Sequence, residues 1–144
     1  MSIAGIPAVS QAPPSVAPRQ WRTIYDIGIG SAPKIALASA SAFAFAAFSI
    51  SRSRSAAPAS ITSDPVYLLS AAALSTVLIA PWTIVTMRST NELLDAKLAT
   101  AETGIPAKED EELQTLLKKW AGLNGIRSVF PLLGAVLGLL VITS

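Results

Sequence analysis

The chain has 144 residues, 51% of them hydrophobic and 14% charged, against roughly 25% charged in an average soluble domain. A net charge of +2, carried on dispersed Lys and Arg, excludes a nucleic-acid partner, which needs a dense basic face. Cys and His are both absent, which removes disulfides, thiolate nucleophiles, imidazole bases and the usual zinc, copper and haem ligands.

The apolar residues collect in long runs instead of alternating with polar ones, a pattern suited to lipid as solvent. The expected fold is therefore all-α, a transmembrane helical bundle of three spans. Residues 1–20 carry Pro7, Pro13, Pro14 and Pro18 among Ala, Ser and Val, and read as an irregular lead-in without the basic start and apolar core of a signal peptide. A membrane helical domain follows over 21–144.

The first span is expected at 27–50, long enough for a hydrocarbon core that needs about 20 helical residues. Pro33 falls in its first two turns, and Lys34 can extend its amine back to the headgroups. The repeated alanines from Ala36 to Ala47 present little bulk, so a neighbouring helix can approach closely. A polar connection over 52–64 leads to a second span at 66–87. There Pro81 deletes the bond to the Val77 carbonyl and is expected to kink the helix.

After this span, Ser89-Thr90-Asn91-Glu92 has the form of a capping box that restarts a surface helix toward Ala101. Residues 103–106 end that helix, and the acidic residues 109–112 open the next, as carboxylates do at a positive helix terminus. Leu113, Leu116, Leu117, Trp120, Asn124 and Arg127 then recur at helical spacing. A third span is expected at 124–142, with Gly134-x-x-x-Gly138 as a helix-packing groove. Arg19, Arg22, Arg88, Lys97, Lys108, Lys118 and Lys119 outweigh Arg52 and Arg54, which predicts a cytosolic helical loop over 88–119.

Three groups of polar and aromatic residues stand where a plain anchor would have Leu or Val: Trp21, Tyr25, Asp26 and Gly28; Pro81, Thr83, Thr90 and Asn91; and Trp120, Asn124, Arg127 and Pro131. Asn124 and Arg127 are three residues apart, one turn beyond Trp120, and so lie on one helix face. Ionisable residues at membrane depth point to function, although Trp and Tyr also favour the membrane interface and Arg127 can snorkel toward it. Most of the acidic residues lie in one loop, so no metal site is expected.

Taken in order, these groups resemble the anthrone oxygenase family of small membrane proteins from fungal aromatic polyketide pathways. The stretches that carry the resemblance are Gln20-Trp21-Arg22 with Tyr25-Asp26-x-Gly28 and Ala32-Pro33; then Ala80-Pro81-Trp82-Thr83 with Met87 and Thr90-Asn91-x-x-Leu94. Trp120-Ala121-x-Leu123-Asn124-x-x-Arg127 and Pro131-Leu132-Leu133-Gly134 complete them. Two departures accompany the match. Ser89 stands where the family often has Pro, and a first helix of the family's usual four-helix bundle is expected to be missing before residue 1.

The resemblance implies oxidation of an anthrone to an anthraquinone by dioxygen, without metal or flavin cofactor. The substrate's carbanion would supply an electron to oxygen, and radical recombination would give a peroxide that collapses to quinone and water. In that scheme Arg127 and Asn124 donate hydrogen bonds to reacting oxygens, Asp26 is the base, and Trp120, Asn91, Thr83, Tyr25 and Trp21 contact substrate. Expected partners are the lipid bilayer, the aromatic polyketide and dioxygen, in the endoplasmic reticulum or another endomembrane. Self-association and association with other polyketide-pathway enzymes stay open. A non-enzymatic membrane scaffold that uses the alanine and glycine faces to bind partner helices is the alternative, and a cyclase acting on a related polyketide is a third reading.

Overall fold

A computed structural model describes residues 5, 8–53, 64–101 and 107–143, with the backbone alone for 107–110. Three helices carry nearly all of these residues: α1 Ala17–Ser53, α2 Pro65–Thr100 and α3 Ala107–Thr143. At about 1.5 Å per residue each is roughly 55 Å long, well beyond the ~30 Å of a hydrocarbon core. All three are long and apolar enough to cross a membrane. No more than 17% of the most apolar stretch of any helix is buried, so side chains such as Ile35, Phe45, Leu74, Val85 and Leu132 face outward. In water such a surface would aggregate, whereas in lipid it is the normal exterior. The expected all-α membrane architecture is what the chain forms.

The helix boundaries follow local chemistry. α1 starts at Ala17, earlier than the expected Trp21, because Pro18 in the first turn removes an N–H that has no intrahelical acceptor. Ahead of it, the amides of Val16 and Ala17 donate to the Pro13 carbonyl at 2.8 and 3.0 Å. α2 begins at Pro65 behind Asp64, whose Oδ1 accepts from the Val66 amide at 2.8 Å, an N-cap with Pro at the first helical position. Most of the expected 52–64 connection, and the turn expected at 103–106, lie outside the described residues.

One expectation is overturned. No new helix starts at Ser89, because α2 runs unbroken from Pro65 to Thr100. Glu92 does not reach back to an N-cap but accepts from Arg88 Nε at 2.8 Å. Without a glycine or proline between Trp82 and Thr100 to stop propagation, continuing the helix keeps every i→i−4 bond that a fresh N-cap would break.

The chain divides into two compact units, one of residues 1–31 and 82–127, the other of 32–81 and 128–144. Each division in the chain falls within about one helical turn of a proline inside a helix, Pro33, Pro81 or Pro131. In the second unit, small residues bring the backbones together. A β-carbon added at Gly134 would lie 2.7 Å from Thr76 Oγ1 and 3.1 Å from the Ala72 carbonyl, and one at Gly138 would lie 2.7 Å from the Phe43 ring. The Gly134-x-x-x-Gly138 motif thus receives α2 at one glycine and α1 at the other.

Candidate functional site

The first unit has its own core, built from stripes at heptad-like spacing. Met87, Thr90 and Leu94 are buried on α2, and Leu113, Leu117, Trp120 and Asn124 on α3. On α1, Ala17 and Trp21 are buried, with Ile24 and Tyr25 packed against them. The spacing of four, three and four residues keeps each set on one face of its helix. Val9 of the lead-in joins this core, and Gln114 Nε2 donates to the Ser10 carbonyl at 3.0 Å.

Aromatic and polar side chains meet at the centre. Trp21 is fully buried, stacks on Tyr25 with ring centroids 5.3 Å apart, and meets Trp120 edge-to-face at 6.2 Å. Such pairs contribute about 0.5–1.5 kcal/mol beyond their buried area. Trp120 Nε1 donates to Asn91 Oδ1 at 3.0 Å. Its own carbonyl accepts from Asn124 Nδ2 at 2.9 Å, which fixes the orientation of an amide that is only 4% exposed. Five of the expected site residues, Trp21, Tyr25, Asn91, Trp120 and Asn124, are therefore joined by direct contacts.

A charged group borders this cluster. Arg22 pairs with Asp26 at 3.0 Å and with Asp95 at 2.6 Å, tying α1 to α2, and its guanidinium lies 5.5 Å from the centre of the Tyr25 ring. Hydrogen bonding by Asp26 first, then Asp95, favours the charged guanidinium and raises its pKa from an already high ordinary value. Arg22 precedes the apolar 27–50 stretch. Asp26, expected as the base, is thus held in an ion pair, and its side chain is 54% exposed.

Arg127 stands apart from these contacts. Arg127 is half-buried and has no hydrogen-bonding or ionic partner among the described residues. It lies one turn beyond Asn124 on the same stripe. Thr83 is half-buried one turn before Met87 on the α2 stripe. No three Asp, Glu, His or Cys side chains converge on a common point among the described residues.

Arg22, Thr90 and Asp95 also border the aromatic cluster; the sequence singles out Thr90 beside Asn91 and includes Arg22 in a motif, but assigns none of the three a role in the site. Asp95 is one turn after Asn91, and that i,i+4 relation on a polar face is the signal that could have found it. Two open grooves of about 360 and 460 Å³ lie in the second unit. They are lined mainly by Ala, Phe, Val, Leu and Ile, and neither includes an expected site residue. Their walls offer few groups to orient a polar ligand, so the chemistry points to the aromatic and amide cluster of the first unit.

The fold and this cluster define a small helical membrane protein with an aromatic core edged by amides and arginine. Its sequence matches the family model for anthrone oxygenases over residues 21–137, and the chain belongs to that family. It is 41% identical over 71 residues to the anthrone oxygenase tpcL of Aspergillus fumigatus, covering 47% of this chain and 40% of that protein. A match to an anthrone oxygenase of Claviceps purpurea is 42% identical over 78 residues, 53% of this chain and 44% of the other. With the anthrone oxygenase encC of Aspergillus fumigatus, identity is 32% over 156 residues, covering 96% of this chain and 80% of the relative. The first two alignments thus span less than half the length of those relatives. No solved structure matches the chain.

Proposed function

We propose that this chain is a membrane oxidoreductase that converts an anthrone and dioxygen into an anthraquinone and water. The observation that carries this reading is the joined set Trp21, Tyr25, Asn91, Trp120 and Asn124, drawn from all three helices within a chain of the anthrone oxygenase family. A flat apolar polyphenol needs aromatic walls and a few fixed polar groups, and this set supplies both.

On this reading a base removes one proton from the methylene carbon opposite the ketone, leaving a delocalised anion. That anion passes one electron to dioxygen, and the radical and superoxide combine to form a carbon–oxygen bond. The resulting hydroperoxide loses the second methylene proton and breaks its O–O bond, giving the second carbonyl and one water. The two electrons that form the water come from the substrate, so the balance calls for no further reductant.

Asp26 is the proposed base. Arg127 and Asn124 are the proposed donors to oxyanions formed along the way, which preorganised donors stabilise strongly in a water-poor site. Trp120, Trp21 and Tyr25 would form the apolar wall, with Asn91 and Thr83 as further polar contacts. The anthrone would be an aromatic polyketide, and the reaction would take place without metal or flavin in the endoplasmic reticulum or another endomembrane. Spans at 27–50, 66–87 and 124–142 would leave 88–119 in the cytosol.

Membranes containing the protein, incubated with 1,8-dihydroxyanthrone under air and under nitrogen, test this reading. Quinone should form faster than in control membranes, under air alone. A rate equal to the control under air would leave the membrane-scaffold alternative as the better account.

A further inference from the structure

Two buried donors in the core of the first unit have nothing to bond. The indole Nε1 of Trp21 and the hydroxyl of Thr90 are inaccessible and have no hydrogen-bond partner among the described residues, and both residues are 0% exposed. Buried polar groups are nearly always paired, because leaving one unmade forfeits its hydration without return.

Thr90 is the more telling of the two. A threonine within a helix has an acceptor close by in the carbonyl four residues earlier. Thr76, Thr86 and Thr115 all use it, at 2.8, 2.7 and 3.0 Å. Thr90 does not donate to the Thr86 carbonyl, although α2 is regular there. Its hydroxyl lies on the core face between Met87 and Leu94, two residues that share one buried cluster with Trp21 and Trp120. Asn91, the next residue, already accepts from Trp120 and so serves that indole instead of Trp21.

We infer that Thr90 and Trp21 Nε1 are hydrogen-bonding contacts for an oxygen of the aromatic substrate, so that the closed core of the free protein holds unpaired donors that the ligand satisfies. This rests on the anthrone reading above. A ketone, phenolate or quinone oxygen accepts from an O–H and an indole N–H alike, and a flat ring system has apolar faces matched to Trp21, Tyr25 and Trp120. Thr90 thereby becomes a binding residue, recognising substrate oxygen and taking no part in proton transfer.

The test uses the full chain in nanodiscs, as parent, Thr90→Val, Thr90→Ser and Trp21→Phe. Three quantities are read: KM for 1,8-dihydroxyanthrone, affinity for 9,10-anthraquinone by quenching of tryptophan fluorescence, and the ligand-free melting temperature. Thr90→Val keeps the shape and deletes the hydroxyl. It should weaken both ligands roughly three- to tenfold while the melting temperature stays level or rises, because an unpaired buried group has been removed. Thr90→Ser should retain the parent's affinity, and Trp21→Phe should weaken binding in the same direction. An active parent with unchanged affinities in Thr90→Val overturns the inference alone. So does a fall in the melting temperature of Thr90→Val, which would show the hydroxyl to be paired in the free protein. A parent that makes no quinone and binds no anthraquinone overturns the proposed function as well.

Discussion

Trp120 donates its indole N–H to Asn91 Oδ1 at 3.0 Å, and this bond fixes α3 against α2 at the centre of the first unit. The two residues are 29 positions apart; Trp120 lies on the periodic stripe of α3, whereas Asn91 stands beside the buried Met87, Thr90 and Leu94 stripe of α2. Asn91→Leu leaves the Trp120 donor unpaired, which typically costs about 1–3 kcal/mol. The expected result is a lower melting temperature in detergent. In a Trp120→Phe background the same change should have a smaller effect, because the bond is already absent there. Equal effects in both backgrounds would show that Asn91 acts through something other than Trp120.

Glycine substitutions should move stability in opposite directions according to what a new β-carbon meets. At Gly134 it would meet the Thr76 hydroxyl and, more seriously, the Ala72 backbone carbonyl at 3.1 Å, which cannot rotate away. Gly134→Ala should therefore destabilise by about 1–3 kcal/mol, the usual range for overpacking. At Gly122 nothing lies within 4 Å. Gly122→Ala should stabilise by about 0.5–1 kcal/mol through helix propensity. Thermal melts of the two variants beside the parent check both signs.

The helices were legible because lipid solvation writes itself into composition. Runs such as 66–87 need no tertiary information to be read as spans. The capping box at Ser89 misled because Ser-x-x-Glu is defined by side-chain types alone, and those types also suit a continuing helix in which Glu92 pairs with Arg88. On α3, the Trp120, Asn124 and Arg127 stripe could be read from spacing. Its contacts with Trp21 and Asn91, and the Arg22–Asp95 pair, could not, because pairing between distant segments leaves no periodic trace. The Asp64 cap was within reach, as Asp followed by Pro at the start of an apolar run is a helix-start signal.

Asp26 offers a sharp test of the proposed base. Its carboxylate sits 3.0 Å from Arg22, which fixes its orientation beside the aromatic cluster. Asp26→Asn preserves size and a hydrogen-bonding oxygen but cannot accept the substrate's proton. If Asp26 is the base, turnover of anthrone should fall about 10²- to 10⁴-fold, the range typical of general-base loss. Because the Arg22–Asp26 pair is largely exposed and Arg22 keeps Asp95, stability should change by less than about 1 kcal/mol. Parent-like turnover would assign proton removal to Tyr25 or to solvent.

Arg127 and Asn124 divide function from folding in different ways. Asn124 is buried and hydrogen-bonded to the Trp120 carbonyl, so Asn124→Leu should lower both stability and turnover. Among the described residues, the half-buried Arg127 has no partner, and no interaction that holds the fold depends on its charge. Arg127→Met retains much of the aliphatic packing and removes the guanidinium. If that group stabilises an oxyanion, kcat for oxygen-dependent quinone formation should fall about 10²- to 10³-fold with the melting temperature near the parent's. Arg127→Lys should recover only part of the rate, because an ammonium supplies charge without the planar fork of donors. Normal kcat in Arg127→Met would remove the residue from the mechanism, and it would then be a cation that reaches the headgroups from the mouth of the third span.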